Sequence, residues 1–406
     1  MRINRVEAAH TDRLYLRPGK IGNLTISNRL IRAATSETMA NDDGSISPSL
    51  IDFYTSLAKG KAGLLISGHM YINQHGQYLP KQVGIHSDNN LPGLSSLTDA
   101  VHKHGGTIFA ELSHAGSQCM MPNIQPIAPS VIPNAIFERM PKMMSIDDIN
   151  LTIDGFGKAA KRAQQSGFDG IHIHSGNGYL LSEFNSPHAN RRDDDWGGDR
   201  ERRDKLLLSV YQRIRQEVGD NFPITARIGI TDTIADGLEE VESLDRIKKL
   251  EAIGLDGVEV SYGVMSSYLQ NIRPYVAVNP KRAFQDALFH RVLSQGSPEA
   301  YYRGFARSVK QCTQIPVILV GGIRTTETMN DLVSSGDTDF IAMARPFIRE
   351  PDLPKQLIDG RTGLVDCVSC NMCLMHEGKD GLRCWRKQWG TMFYHAYCRF
   401  WRDRQR

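Results

Sequence analysis

Short apolar runs alternate with amphipathic segments of ten to twenty residues along most of the chain. A brief apolar run bounded by glycine or proline reads as a buried strand. An apolar residue every three or four positions reads as one face of a helix. The alternation therefore predicts strand and helix units around a parallel sheet. Eight strands are expected: LIRAAT (30–35), GLLISGH (63–69), GTIFAEL (106–112), GIHIH (170–174), PITARIGI (223–230), GVEVSYG (257–263), PVILVGG (316–322) and DFIAMAR (339–345). Between the fourth and fifth, Leu206, Leu207, Val210, Tyr211, Ile214 and Val218 recur at helical spacing, with Gly219 as the stop. Another helix is expected to begin at SIDD, where Ser145 and Asp148 have the spacing of a capping box. Eight such pairs in about 330 residues predict an α/β fold of the (β/α)8 TIM barrel type, since a doubly wound sheet needs a switch point and usually fewer strands.

Composition narrows the class. The chain has 406 residues, 40% hydrophobic and 23% charged, enough for a sizeable core and incompatible with disorder or collagen. No apolar stretch approaches the roughly 20 residues of a membrane span, and the N-terminus lacks the apolar centre of a signal peptide, so a cytoplasmic location is expected. A net charge of +3, concentrated toward the C-terminus, gives no reason to expect a nucleic-acid partner. A homo-oligomer is left open. Of seven cysteines, Cys367, Cys370, Cys373 and Cys384 fall in one short segment, whereas Cys119 and Cys312 stand alone. Such clustering suits a metal site better than a disulfide framework.

Candidate chemistry gathers at the strand ends. The fourth strand runs into HIHSGNGYLLSEFNSPHANRRDDDWGGDRERR (172–203), which sets His174, Asn177 and Tyr179 at its exit. Packing alone gives no reason to place an imidazole, an amide and a phenol there, and a barrel keeps its chemistry at the C-terminal ends of its strands. ELSHAG (111–116) ends the third strand, Arg227 lies on the fifth, Gly321 and Gly322 end the seventh, and Arg345 ends the eighth. A lone glycine pair is usually a turn and a lone arginine is usually a surface group. Together, after strands seven and eight, they predict a phosphate site of backbone N–H groups and a guanidinium.

IGNLTISNRL, GNGYLLSEFNSPHANRRDDDWGG, VGGI and FIAMARPFIREPDLP resemble the old yellow enzyme family of FMN-dependent oxidoreductases, over residues 13–360. The resemblance implies a (β/α)8 barrel over residues 1–360, FMN as cofactor, NAD(P)H as reductant, and a small α,β-unsaturated carbonyl compound as substrate. By position, His174 and Asn177 resemble the pair that binds the substrate oxygen, and Tyr179 resembles the proton donor. Two N–H donors aimed at an enone oxygen stabilise the enolate charge that follows hydride addition, and a phenol with a pKa of about 10 can supply the proton. Arg227 resembles the residue whose charge sits beside the flavin N1 and O2. Gly321, Gly322, Ala344 and Arg345 fall at phosphate positions, and Ala34, Ser36, His69 and Glu111 at ring positions. Two positions depart from the family: it usually has glutamine where Glu111 stands and glutamate where His172 stands. The two are therefore expected to form a compensating pair across adjacent strands.

The remaining residues, 361–406, form an extension expected to be partly helical. Its C-x2-C-x2-C-x10-C spacing suits a tetrahedral sulfur site, either a 4Fe–4S cluster or zinc, with free thiols as the third alternative. The motif resembles the one that follows the barrel in trimethylamine dehydrogenase and 2,4-dienoyl-CoA reductase. The sequence stops before the pyridine-nucleotide domain of those enzymes, so that electron partner is expected to be missing. In residues 383–406, Trp385, Trp389, Phe393, Tyr397 and Phe400 recur at helical spacing among seven Arg or Lys residues, predicting a basic amphipathic helix. The cysteines suggest a second activity, amine dehydrogenation, and the tail a third role as a flavin-binding electron-transfer module. His174 with Asn177 favours carbonyl binding.

Overall fold

All eight expected strands form: β1 (Leu30–Arg32), β2 (Leu64–Ile66), β3 (Ile108–Ser113), β4 (Gly170–Ser175), β5 (Ile224–Gly229), β6 (Gly257–Ser261), β7 (Val317–Val320) and β8 (Phe340–Met343). The computed structural model of the protein describes residues 13–134, 136–137, 139–273, 299–374 and 380–386. The strands pair in parallel in chain order, β8 beside β1, and Leu65 opposite Ile108 belongs to the closed ring. Around them lie α1 (Pro48–Lys59), α2 (Leu91–His102), α3 (Ile146–Gln165), α4 (Arg200–Val218), α5 (Glu240–Ala252), α6 (Arg303–Cys312), α7 (Thr326–Ser334) and α8 (Leu353–Ile358). The fold is a (β/α)8 TIM barrel.

The helix boundaries follow their local chemistry. Ser145 Oγ accepts from Asp148 N at 3.1 Å, and Asp148 Oδ2 accepts from Ser145 N at 2.9 Å, so both halves of the expected capping box form at the start of α3. Gly219 ends α4 with φ of 78°, a left-handed value that costs glycine little. All six apolar residues read from the α4 pattern are buried.

The barrel interior has two layers. Below, Ile31, Leu64, Ile66, Phe109, Ile318 and Phe340 pack together, and a hairpin of Gly19–Ile21 with Leu24–Ile26 closes the floor through Ile21 and Ile26. Gly170 belongs here because a Cβ on it would stand 2.6 Å from the Phe109 ring. Above, the strand register sets Glu111 beside His172, His172 beside Thr225, His174 beside Arg227, and Arg227 beside Glu259. Side chains alternate along a strand, so His172 and His174 share one face while Ile171 and Ile173 join the core under the helices.

The described part of the C-terminal extension lies against the top of the barrel. Val365 N donates to Arg324 O at 2.9 Å after β7, and Leu382 N donates to Glu37 O at 2.9 Å after β1. Trp385 is fully buried. This part consists of turns and one isolated bridge, and the tail beyond Arg386, where the amphipathic helix is expected, lies outside the described residues. Among the described residues no helix is long and apolar enough to cross a membrane.

Candidate active site

Two adjoining cavities open at the C-terminal ends of the strands. The larger, about 450 Å³, is lined by Ala34 and Ser36 after β1, His69 after β2, Glu111 on β3, His174, Asn177 and Tyr179 from β4 and its loop, and Arg227 on β5. The smaller, about 140 Å³, is lined by Gly321, Gly322, Ala344 and Arg345 after β7 and β8. Ala34, Asn177 and Arg227 border both. Chain closure thus brings residues separated by more than 300 positions onto one continuous surface.

The loop after β4 is held in a specific shape. Asn177 adopts φ of 57°, a left-handed conformation asparagine tolerates better than most residues. Its N–H donates to Tyr262 O, and Gln118 Nε2 donates to its carbonyl, both at 2.7 Å. Ser261 Oγ donates to Asn177 Oδ1 at 2.6 Å. That bond occupies the amide oxygen, so the Asn177 Nδ2 group is the part left to serve the cavity as a donor. Tyr179 opens a short helix over Leu180–Asn185, and its ring lies 4.5 Å from His174 and 5.2 Å from His69, centre to centre.

Both histidines are neutral. Burial and then Arg227 push His69 down to about 3 and hold His174 well below the usual imidazole range. The side-chain amide of Gln82 approaches His69 Nδ1 at 3.0 Å; as a donor it leaves the ring proton on Nε2. Tyr78, Leu79, Met120 and Phe137 complete the larger cavity with an apolar wall.

A buried charge cluster underlies these donors. Arg227 meets Glu259 Oε1 from Nε and from Nη2, each at 2.7 Å. Burial opposes the Arg227 charge, but Glu259 and Glu111 outweigh it and raise the guanidinium pKa. Glu111 is pushed up to about 8 by burial, against the pull of Arg227. The expected Glu111–His172 pair needs correction. His172 Nε2 stands 4.0 Å from Glu111 Oε1 with no hydrogen bond, His172 Nδ1 bonds Thr225 Oγ1 at 2.8 Å, and burial keeps His172 neutral. The charge compensation is made by Arg227 with Glu259, two strands further round.

On the other side, Gly321 and Gly322 have φ of 120° and 76°, and a Cβ on either would stand within 3 Å of the Tyr301 ring. Arg345 Nη1 donates to Ile272 O at 2.8 Å and to Asn371 Oδ1, so this arginine also anchors the extension.

The four clustered cysteines line one small cavity together with Arg345, Arg349 and Arg386, and none is in a disulfide. Burial raises Cys367 to about 11 and also raises Cys370 and Cys373, with the arginines pulling the other way. Among the described residues no three His, Cys, Asp or Glu side chains converge as a single ion requires. A zinc ion draws its sulfurs to about 2.3 Å from one point. Four thiols lining one cavity beside three guanidinium groups and Asp366 are a donor set for a sulfur-ligated group, a 4Fe–4S cluster or zinc.

Three contributors escaped the sequence reading. Glu259 carried a signal, a carboxylate inside the apolar run GVEVS. Ser261 and Tyr301 carried none, because a serine and a tyrosine at such positions are common.

The chain is 33% identical over 359 residues to an NADH oxidase of Thermoanaerobacter brockii, covering 87% of this chain and 52% of that protein. It thus spans about half the length of that relative. The structure of 2-naphthoyl-CoA reductase in complex with 2-naphthoyl-CoA superposes with a TM-score of 0.81 at 24% identity, over 92% of this chain and 57% of that one, a likeness of fold. The old yellow enzyme homologue from Zymomonas mobilis gives 0.67 at 25% identity, over 88% and 95%. Residues 15–363 match the NADH:flavin oxidoreductase / NADH oxidase family, and the chain belongs to that family of FMN-binding, NAD(P)H-using oxidoreductases.

Proposed function

We propose that the chain is an FMN-dependent NAD(P)H oxidoreductase that reduces activated carbon–carbon double bonds by a ping-pong mechanism. The observation that carries this reading is the donor set at the exit of β4: a neutral His174, an Asn177 amide whose oxygen is occupied by Ser261, and the Tyr179 phenol, all on one cavity. Ala34, Ser36, His69, Glu111 and Arg227 would hold the flavin ring, and Gly321, Gly322, Ala344 and Arg345 its phosphate. The fit rests on two adjoining cavities, on glycines with no room for a side chain, and on buried polar atoms without hydrogen-bond partners among the described residues, Glu111 Oε1 and His174 Nδ1. Hydride taken from NAD(P)H and returned to a substrate β-carbon is the chemistry FMN supplies when bound.

The chain's own residues do the rest. His174 and Asn177 donate to the substrate carbonyl oxygen and stabilise the negative charge that develops there. Tyr179 holds a proton on its phenol oxygen and delivers it to the α-carbon. Tyr78, Leu79, Met120 and Phe137 exclude water and bind the apolar part of an enone. The test is anaerobic NADH and NADPH oxidation with and without 2-cyclohexenone. Turnover that requires the enone is expected, and FMN-loaded protein that ignores it would overturn the reading.

The cysteine cavity supports a second component of the same reading, a 4Fe–4S cluster held by Cys367, Cys370, Cys373 and Cys384 in the extension 361–406. Arg345 and Ser369 border both this cavity and the smaller flavin cavity, so the two groups would be neighbours. Protein purified without oxygen should contain about four iron atoms per chain, and Cys370→Ser should remove them while FMN is retained. Unpaired thiols suit a reducing compartment, and we place the protein in the cytoplasm.

A further inference from the structure

Glu111 is the group in this site whose charge has no settled partner. Its side chain is 2% exposed, it borders the larger cavity, and among the described residues Oε1 has no hydrogen-bond partner. Three nitrogens stand near that oxygen: His174 Nδ1 at 3.5 Å, Arg227 Nη1 at 3.7 Å and His172 Nε2 at 4.0 Å. Both histidines are neutral, so neither supplies a counter-charge. Arg227 is already bound to Glu259 at 2.7 Å. The remaining charged groups in range, Arg32 and Glu37 from β1 and its loop, pair with one another at 2.8 Å. Just after β2, Ser67 Oγ accepts from the Glu111 backbone N–H at 2.9 Å and donates to Gly68 O at 3.0 Å, so its proton does not go to the Glu111 carboxyl. A bare carboxylate on Glu111 would thus set two anions against one buried guanidinium, and like charges so placed do not ionise together.

We propose that Glu111 carries a proton facing the flavin cavity, lends it to the ring when hydride arrives, and recovers it when hydride leaves. The proposal rests on the FMN reading above. In the reductive half-reaction a nicotinamide C–H bond breaks and its electron pair forms one ring N–H bond. The Glu111 O–H bond breaks and its proton forms a second ring N–H bond. The nicotinamide is oxidised, the ring is reduced by two electrons, and Glu111 is left as a carboxylate beside Arg227. The oxidative half-reaction reverses the proton step, so no solvent proton is consumed at this residue over a full cycle. The negative charge that enters with hydride is thereby neutralised by a proton, in a site where Arg227 is shared with Glu259.

The test counts protons. For FMN-loaded wild type and Glu111→Gln, the midpoint potential is measured from pH 6 to pH 10 by anaerobic dye equilibration, and its slope gives the protons bound per two electrons. An internal proton source predicts one proton per two electrons near neutral pH in the wild type. The count should double to two above pH 8, where Glu111 loses its proton in the oxidised state and the reduced state still holds it. Glu111→Gln should show one proton throughout, and a wild-type count that does not rise above pH 8 overturns the proposal. Should the variant fail to retain FMN, the wild type decides alone. Its reduced-minus-oxidised infrared difference spectrum at neutral pH must show loss of a protonated-carboxyl C=O stretch, and a spectrum without that loss refutes the transfer. Wild type that binds no FMN overturns both readings, whereas reducible FMN with a flat proton count overturns this one only.

Discussion

The lower and upper layers of the barrel interior are built by the same strands, two residues apart, with opposite chemistry. On β3, Phe109 belongs to the lower layer and Glu111 to the upper; on β4, Gly170 makes room below while His172 and His174 stand above. Burying Phe109 removes apolar surface from water and is favourable at about 25 cal/mol per Å². Burying Glu111 is unfavourable and appears as a carboxyl pushed up to about 8. The upper layer persists because the apolar floor and the helices outside determine where each strand lies. Perturbed groups can then be held at the mouth, where barrels keep their chemistry.

Substitutions in each layer should therefore fail differently. Phe109→Ala in the floor should cost about 3–5 kcal/mol of stability, and the loss should not vary with pH, since no charge is involved. Urea unfolding at several pH values measures it. Arg227→Ala above should cost a similar amount, about 3–5 kcal/mol at pH 8, by leaving Glu259 without its partner in a buried site. Here the loss should depend on pH. Glu259 and Glu111 in the variant have folded-state values raised above those of the unfolded chain. The penalty is therefore absent below the ordinary carboxylate range and grows as pH rises through it. Equal losses at pH 5 and pH 8 would erase the distinction between the layers.

Smaller effects probe the mouth itself. Tyr179→Phe should slow reoxidation of reduced enzyme by 2-cyclohexenone at least about 100-fold while leaving reduction by NADPH nearly unchanged, because only the second half-reaction takes a proton from Tyr179. Stopped-flow spectra of the two half-reactions separate them, and equal slowing of both would make Tyr179 a packing residue. Ser261→Ala should be the mildest, raising the KM for the enone by about fivefold with little change in kcat. It removes one hydrogen bond of about 1 kcal/mol that orients the Asn177 amide. An unchanged KM would show that Asn177 is held by its backbone bonds alone.

The contrast between the layers also explains what was legible beforehand. The strands were readable because an apolar run with flanking glycine or proline reports burial directly, and α3 and α4 were readable from their caps and stripes. The residues at the exit of β4 were readable because three polar groups of different kinds followed a buried strand. The sequence places Glu111 and His172 on neighbouring strands, but it does not specify whether their side chains bond. The distance of 4.0 Å and the competing bond from Thr225 depend on side-chain directions that strand assignment does not supply.

By itself the sequence determined the periods: two along GIHIH, about 3.6 along α3 and α4, and the spacing of four cysteines within one segment. These are local, because a strand or helix face is set by neighbours a few residues away. It also determined which chemical groups the chain possesses at each strand exit. Only the tertiary structure decided which groups meet. Glu259 lies 32 residues from Arg227 and becomes its partner through the parallel register of β5 and β6. Arg345 reaches Asn371, and Glu37 reaches Leu382, only because ring closure brings β8 beside β1 under the extension. The protonation of Glu111 was decided at the same level, since it depends on burial and on one guanidinium shared between two carboxyl groups, and neither exists until the barrel has closed.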